Sequence, residues 1–179
     1  LIKVAFMNEQ KVIDCIIDFI DKSNCLPTTN QLAKALGVSI AEIDIFKQEN
    51  AKYAEFVKIR TRFTSSDSER KDGFGSFKAF YEWFLAQKDK CHYCGTSQDE
   101  LKRLFDKGAI SSKKFSATLH IERKNANKGY NAQNCVLACA LCNNAKSDMI
   151  SEPNFQKYFA NSVKEFVNDL LLGKITNQI

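Results

Sequence analysis

The sequence predicts a mostly helical α+β fold, with a helical module first and a cysteine-stapled segment holding two short strands after it. Three observations predict this. Apolar residues recur at helical spacing through the first part of the chain, two C-x2-C pairs follow, and two β-like runs flank a glycine turn between those pairs.

Val12, Ile13, Ile16, Ile17 and Ile20 form one apolar stripe over 9 to 22, the mark of an amphipathic helix. Thr28 with Gln31 three residues on is a capping box opening a helix through Leu32, Ala33, Ala35 and Leu36, and Gly37 ends it. Ser39 with Glu42 repeats the signature and starts a third helix carrying Ile40, Ile43 and Phe46. Over residues 10 to 50 this arrangement resembles the helix-turn-helix of bacterial repressors. That resemblance implies DNA contact by Lys47 and Gln48, although Glu42, Asp44 and Glu49 on the same helix would repel phosphate.

Residues 61 to 73 are polar apart from Phe63 and lack apolar periodicity, so they are expected to form a linker between a first domain at 1 to 60 and a second at 74 to 179. Phe77, Phe80, Tyr81 and Phe84 then fall at i, i+3, i+4 and i+7, an aromatic stripe better suited to core packing than to base stacking. Pro153 suits a first helical position, and Phe155, Tyr158, Phe159, Phe166, Val167 and Leu170 predict one or two closing helices.

Hydrophobic residues make up 44% of the chain and charged ones 26%, which argues against disorder. Twenty-six Lys plus Arg against 21 Asp plus Glu leave +5, an excess that suits a polyanion without demanding one. Cys15-Ile16-Ile17 and Leu170-Leu171-Leu172 fall far short of a membrane span and no charged-then-apolar leader opens the chain, so a soluble, cytoplasmic protein is expected. Met7 is a candidate initiator, which would leave the first six residues uninformative.

Seven cysteines fit a disulfide framework poorly, whereas Cys91, Cys94, Cys139 and Cys142 have the spacing of metal ligands. Two knuckles of two thiolates complete a tetrahedral shell, so a structural zinc with no open position is expected. Cys15, Cys25 and Cys135 are expected to be buried small hydrophobes. Roughly forty residues separate the pairs, more than a compact zinc ribbon needs, which points to function in the insert.

That insert reads Thr118-Leu119-His120-Ile121-Glu122-Arg123, a turn through Gly129, then Asn134-Cys135-Val136-Leu137-Ala138, and the second cysteine pair leads into a helix with Asn143 and Lys146. A strand with His, a glycine turn, a strand with Asn and Cys-x2-Cys-Asn-x2-Lys resemble the HNH endonucleases, the ββα-metal family, in a restriction-enzyme-like subgroup. The resemblance covers 91 to 146. It implies hydrolysis of double-stranded DNA to 5′-phosphate and 3′-hydroxyl ends, with His120 as general base and one divalent ion, Mg2+ or similar, at the scissile phosphate. It further implies that Asn143 ligates that ion, that Asn134 braces the loop and orients His120, and that Lys146 approaches a phosphate oxygen.

The family usually has an aspartate ligand just before the histidine, where this chain has Leu119. Glu122, on the same strand face as His120, is the expected substitute and Asp148 the weaker one. Arg123, Lys124 and Lys128 beside the site, with Lys113 and Lys114 upstream, suit phosphate contact. A restriction role would bring a cognate methyltransferase and a homodimer on DNA. The competing expectation is a non-catalytic zinc protein that binds DNA.

Overall fold

A computed structural model describes residues 8–64, 67–110 and 116–176, with 67 and 68 described by backbone alone. The chain divides into two compact units, Leu1–Leu85 and Ala86–Ile179.

The first unit is helical. Helix α1, Glu9–Ser23, is capped by Asn8, whose side chain accepts from the Lys11 N–H, and it buries all five stripe residues. Helices α2, Thr29–Leu36, and α3, Ile40–Glu49, each open on a complete capping box, Thr28 with Gln31 and Ser39 with Glu42. Gly37 joins them in the left-handed conformation at φ +69°, which glycine adopts without a Cβ penalty.

The expected linker is instead helix. Helix α4, Ala51–Thr64, and helix α5, Asp67–Phe74, occupy it, and Phe56, Ile59 and Phe63 are buried along α4. Phe63 is the last member of a stripe that begins before residue 61, so a window opened there catches one apolar residue and three polar faces. Helix α6, Phe77–Leu85, belongs to this unit as well. Asp21 on α1 accepts the N–H groups of Phe77 and Lys78 at 2.7 and 3.2 Å, filling donors that a helix start leaves open. Phe77 meets Phe56 and Phe63 with ring centroids 5.5 Å apart, so the aromatic stripe is core and the boundary falls after Leu85.

The second unit holds the sheet. Helix α7, Gln98–Asp106, comes first, capped by Ser97 with Glu100. Strands β1, His120–Arg123, and β2, Cys135–Ala138, pair antiparallel with His120 opposite Ala138 and Arg123 opposite Cys135. Every residue of β2 is buried. Helix α8, Ala140–Lys146, follows directly, then α9, Glu152–Tyr158, with Pro153 in its first turn, and α10, Ala160–Leu171. Leu104 and Ile110 pack with Val167 and Leu170, setting α7 against α10, with Leu141 of α8 beside them. Tyr158 and Phe159, read as part of the apolar pattern, are exposed. No helix among the described residues is long and apolar enough to cross a membrane.

Candidate active site and metal centre

The four cysteine sulfurs lie within 4.8 Å of one another and are buried. Cys94 and Cys139 Sγ are 3.7 Å apart, close to the roughly 3.8 Å edge of a tetrahedron with zinc–sulfur bonds of about 2.3 Å. The backbone builds the first knuckle: Gly95 N–H bonds Cys91 O at 3.0 Å, Cys91 N–H bonds Thr96 O at 2.8 Å, and Gly95 turns the chain at φ +76°. The second knuckle is the start of α8, where Cys139 Sγ caps the helix by accepting the Cys142 N–H. Sulfhydryl hydrogen bonds, the strongest from Cys139, hold the Cys91 and Cys94 thiols below the usual thiol range, while Cys139 and Cys142, which share the same bonds, are pushed above it. The four-cysteine cluster suits a metal such as zinc.

His120 stands at the start of β1, half-buried, with Ser116 and Asn143 against its ring. Its Nε2 is 3.1 Å from Ser116 Oγ, and its Nδ1 is 3.4 Å from Asn143 Nδ2 on α8. The Ser116 hydroxyl also reaches Thr118 O and Oγ1, which gives its proton a destination away from the imidazole. Ser116 was not singled out in the sequence, where nothing marks a lone serine four residues before a histidine.

Asn134, 6% exposed, turns its side chain into the loop between the strands. Its Nδ2 donates to the carbonyls of Asn125, Lys128 and Gly129, and its Oδ1 accepts the Asn125 N–H, so one buried amide holds the whole turn. The side chain that meets His120 is Asn143.

Lys146 is a correction. It is 1% exposed, and its Nζ donates to Glu122 Oε1 at 2.8 Å and to the carbonyls of Arg123 and Ser147 at 3.1 Å. All three donors of the ammonium are spent, so none is left for a phosphate. Glu122 shares the His120 face of β1 as expected, but its Oε1 is held by Lys146. Burial outweighs that attraction and keeps the Glu122 carboxyl above the usual range. Asp148 accepts from Ser147 Oγ at 3.0 Å. Among the described residues, the cysteine shell is the one group of three or more His, Cys, Asp or Glu close enough to hold an ion.

Arg123 stacks on the Tyr130 ring at 4.9 Å, and Lys124 is half-buried while Lys128 is exposed. The two lysines line an open groove of about 670 Å³ with Asn127 and Gln133, across from Asp148 and Glu152. Its charges balance. Lys113 and Lys114 lie outside the described residues. In the first unit Lys47 Nζ donates to Thr29 Oγ1 at 3.1 Å and is half-buried, while Gln48 is exposed beside Asp44 and Glu49. His92 pairs with Glu152 at 2.7 Å and is not part of the sulfur shell. Of the three cysteines outside the two C-x2-C motifs, Cys135 is buried and Cys15 half-buried, but Cys25 is exposed.

No protein-family model matches the chain. YoqL, an SPbeta prophage-derived protein of Bacillus subtilis (strain 168) named as a candidate HNH endonuclease, is 34% identical over 84 residues, which is 47% of this chain. This chain spans 33% of that relative's length. Among solved structures, the rare-cutting HNH restriction endonuclease PacI is similar with a TM-score of 0.50 and 21% identity, over 69% of this chain and 86% of that one. The likeness to PacI shows the fold, and with YoqL it carries the resemblance to HNH endonucleases read from the motif.

Proposed function

We propose that this HNH-like chain is a DNA endonuclease that hydrolyses phosphodiester bonds, with His120 as general base and one divalent ion, giving 5′-phosphate and 3′-hydroxyl ends. The observation that carries the proposal is the seating of His120 between Ser116 and Asn143 on a cysteine-stapled ββα segment. With the Ser116 proton directed to Thr118, the Ser116 oxygen accepts from Nε2–H and the lone pair stays on Nδ1. Nδ1, which accepts from the Asn143 amide in this structure, then takes a proton from the attacking water once that water replaces the amide as its partner.

Asn143 holds an amide on that side of the imidazole, and Glu122 is the nearest carboxylate on the strand face, so these two would hold Mg2+ or a similar ion. Two protein oxygens suit an ion that keeps several waters and takes the rest of its shell from substrate phosphate. Such an ion would neutralise charge on the phosphate and on the leaving 3′ oxygen. Arg123, Lys124 and Lys128 are the groups assigned to the DNA backbone in this unit, and zinc is the ion assigned to the cysteines.

The likeness to PacI, a restriction enzyme, favours site-specific, restriction-type cleavage. That role brings a cognate methyltransferase, a cytoplasmic setting, and a homodimer on duplex DNA, since one site per chain cuts one strand. A second reading, a non-catalytic DNA-binding protein, is favoured by Leu119, 2% exposed where the family has an aspartate, and by the engagement of Glu122 with Lys146. Plasmid DNA incubated with magnesium, with EDTA, and with His120→Ala protein separates the two. Magnesium-dependent cutting lost in the variant supports the nuclease, and binding without cutting in magnesium, manganese or nickel supports the second reading.

A further inference from the structure

A second groove of the Ala86–Ile179 unit, about 620 Å³ and open to solvent, lies between the first cysteine knuckle, β2 and the helices α9 and α10. Its floor is buried, made by Cys91, Tyr93, Cys94, Val136 and Leu137. Lys88, Lys90 and Lys164 line it and are exposed, and none has an ion-pair partner among the described residues. Among the described residues no carboxylate lines it. Asp89 and Glu165 are neighbours in the chain but not in the groove, and Glu152, which meets His92 at 2.7 Å, lines the other groove.

His92 N–H bonds Leu137 O at 2.8 Å, so the knuckle runs along the edge of β2 opposite the one that β1 occupies. Two strand spacings of about 4.8 Å therefore separate the His120 strand from the knuckle, a distance within the roughly 12 Å width of a major groove. A concave surface with three unpaired ammonium groups fits a convex polyanion.

We propose that the groove holds the phosphodiester backbone of the same DNA duplex, as a second contact beyond the catalytic strand. The proposal rests on the nuclease reading in taking DNA as the partner. It differs from the neighbouring polar groove, where Lys124 and Lys128 face Asp148 and Glu152 and the charges cancel. A competing explanation exists for the same lysines: a zinc ion with four thiolates carries a net double negative charge, which nearby ammonium groups would neutralise.

The test is duplex binding by the full chain in the absence of divalent cations, titrated with salt, alongside zinc content per chain. Each lysine on phosphate contributes about 0.9 to the slope of log affinity against log salt, so Lys88→Gln, Lys90→Gln and Lys164→Gln combined should lower the slope by roughly 2.7. Lys164→Gln alone, on α10 and outside the knuckle, should lower it by about 0.9 with zinc intact. An unchanged slope, or one that falls only in variants that release zinc, overturns the proposal and leaves the lysines as neutralisers of the metal centre. A wild-type chain that binds no duplex at any salt removes the nuclease reading itself.

Discussion

Lys146 Nζ and Glu122 Oε1 meet at 2.8 Å with the lysine 1% exposed, closing α8 onto β1. The lysine of the Cys-x2-Cys-Asn-x2-Lys run is therefore a clamp. It fixes the two elements that carry His120 and Asn143, and it draws on backbone carbonyls of both, Arg123 O and Ser147 O. Breaking such a pair from one side costs more than removing it whole, because the remaining group is left buried without its partner.

Lys146→Met alone should destabilise the second unit by about 3–5 kcal/mol, and adding Glu122→Gln should recover much of the loss. Denaturant unfolding of the single and double variants checks this. A single variant as stable as wild type would show that the clamp holds nothing.

The same pair makes a pH prediction. Burial raises the folded Glu122 carboxyl above its ordinary value of 4.5. The folded state thus binds this proton more readily than the unfolded chain, so the contribution is present below the unfolded value and is lost as pH rises through the folded one. Wild-type stability should fall relative to Glu122→Gln as pH rises from 4.5, then level off once the folded carboxyl is ionised. Parallel unfolding series from pH 4 to 8 measure the difference, and curves with a constant offset would contradict it.

Legibility in the sequence followed the range of the signal. Capping boxes and the α1 stripe act within one helix, so Thr28 with Gln31, Ser39 with Glu42, and the five apolar residues of α1 stand where the spacing puts them. The cysteine shell was equally legible because two knuckles constrain their own geometry. Helix α4 was missed because its stripe crosses the point where composition turns polar. Helix α7 was passed over although Ser97 with Glu100 is a capping box, because its apolar face rests on Leu101 and Leu104 alone. The site was half legible. His120 and Asn143 come together, but the commitment of Lys146 to Glu122 spans 24 residues and depends on the β1–α8 packing, which no local pattern encodes.

Ser116 is the partner that fixes the His120 tautomer in the proposed chemistry. Ser116→Ala removes the acceptor for Nε2–H and lets the proton move to Nδ1, the atom needed as base. By analogy with partners that orient metal-bound histidines, the loss should be about 10–100-fold. It should appear in kcat with KM unchanged, since the hydroxyl orients the base and does not hold DNA. Ser116→Thr, which keeps the hydroxyl, should restore most of the rate. A loss confined to KM, or no rescue by threonine, would show that Ser116 shapes the loop and not the base.

Removing the metal should separate the two units. Structural zinc supplies on the order of 10 kcal/mol of apparent binding free energy in small domains, comparable to the whole stability of an ordinary domain at about 5–15 kcal/mol. In the second unit the shell ties the first knuckle to the end of β2 and the start of α8, since Cys139 belongs to the shell and also caps α8. β1 depends on β2 for its backbone partners, so His120 loses its footing with the shell. The first unit contains none of the four ligands and has its own core around Ile16, Phe56 and Phe77. Chelation should therefore erase amide-exchange protection across His120–Arg123 and Cys135–Ala138 while α1 keeps its own, and zinc but not magnesium should restore it. Protection that survives in β1 after the metal is stripped would mean that packing of α7 and α10 alone holds the sheet, and the staple would have to be reassigned to a later role than folding.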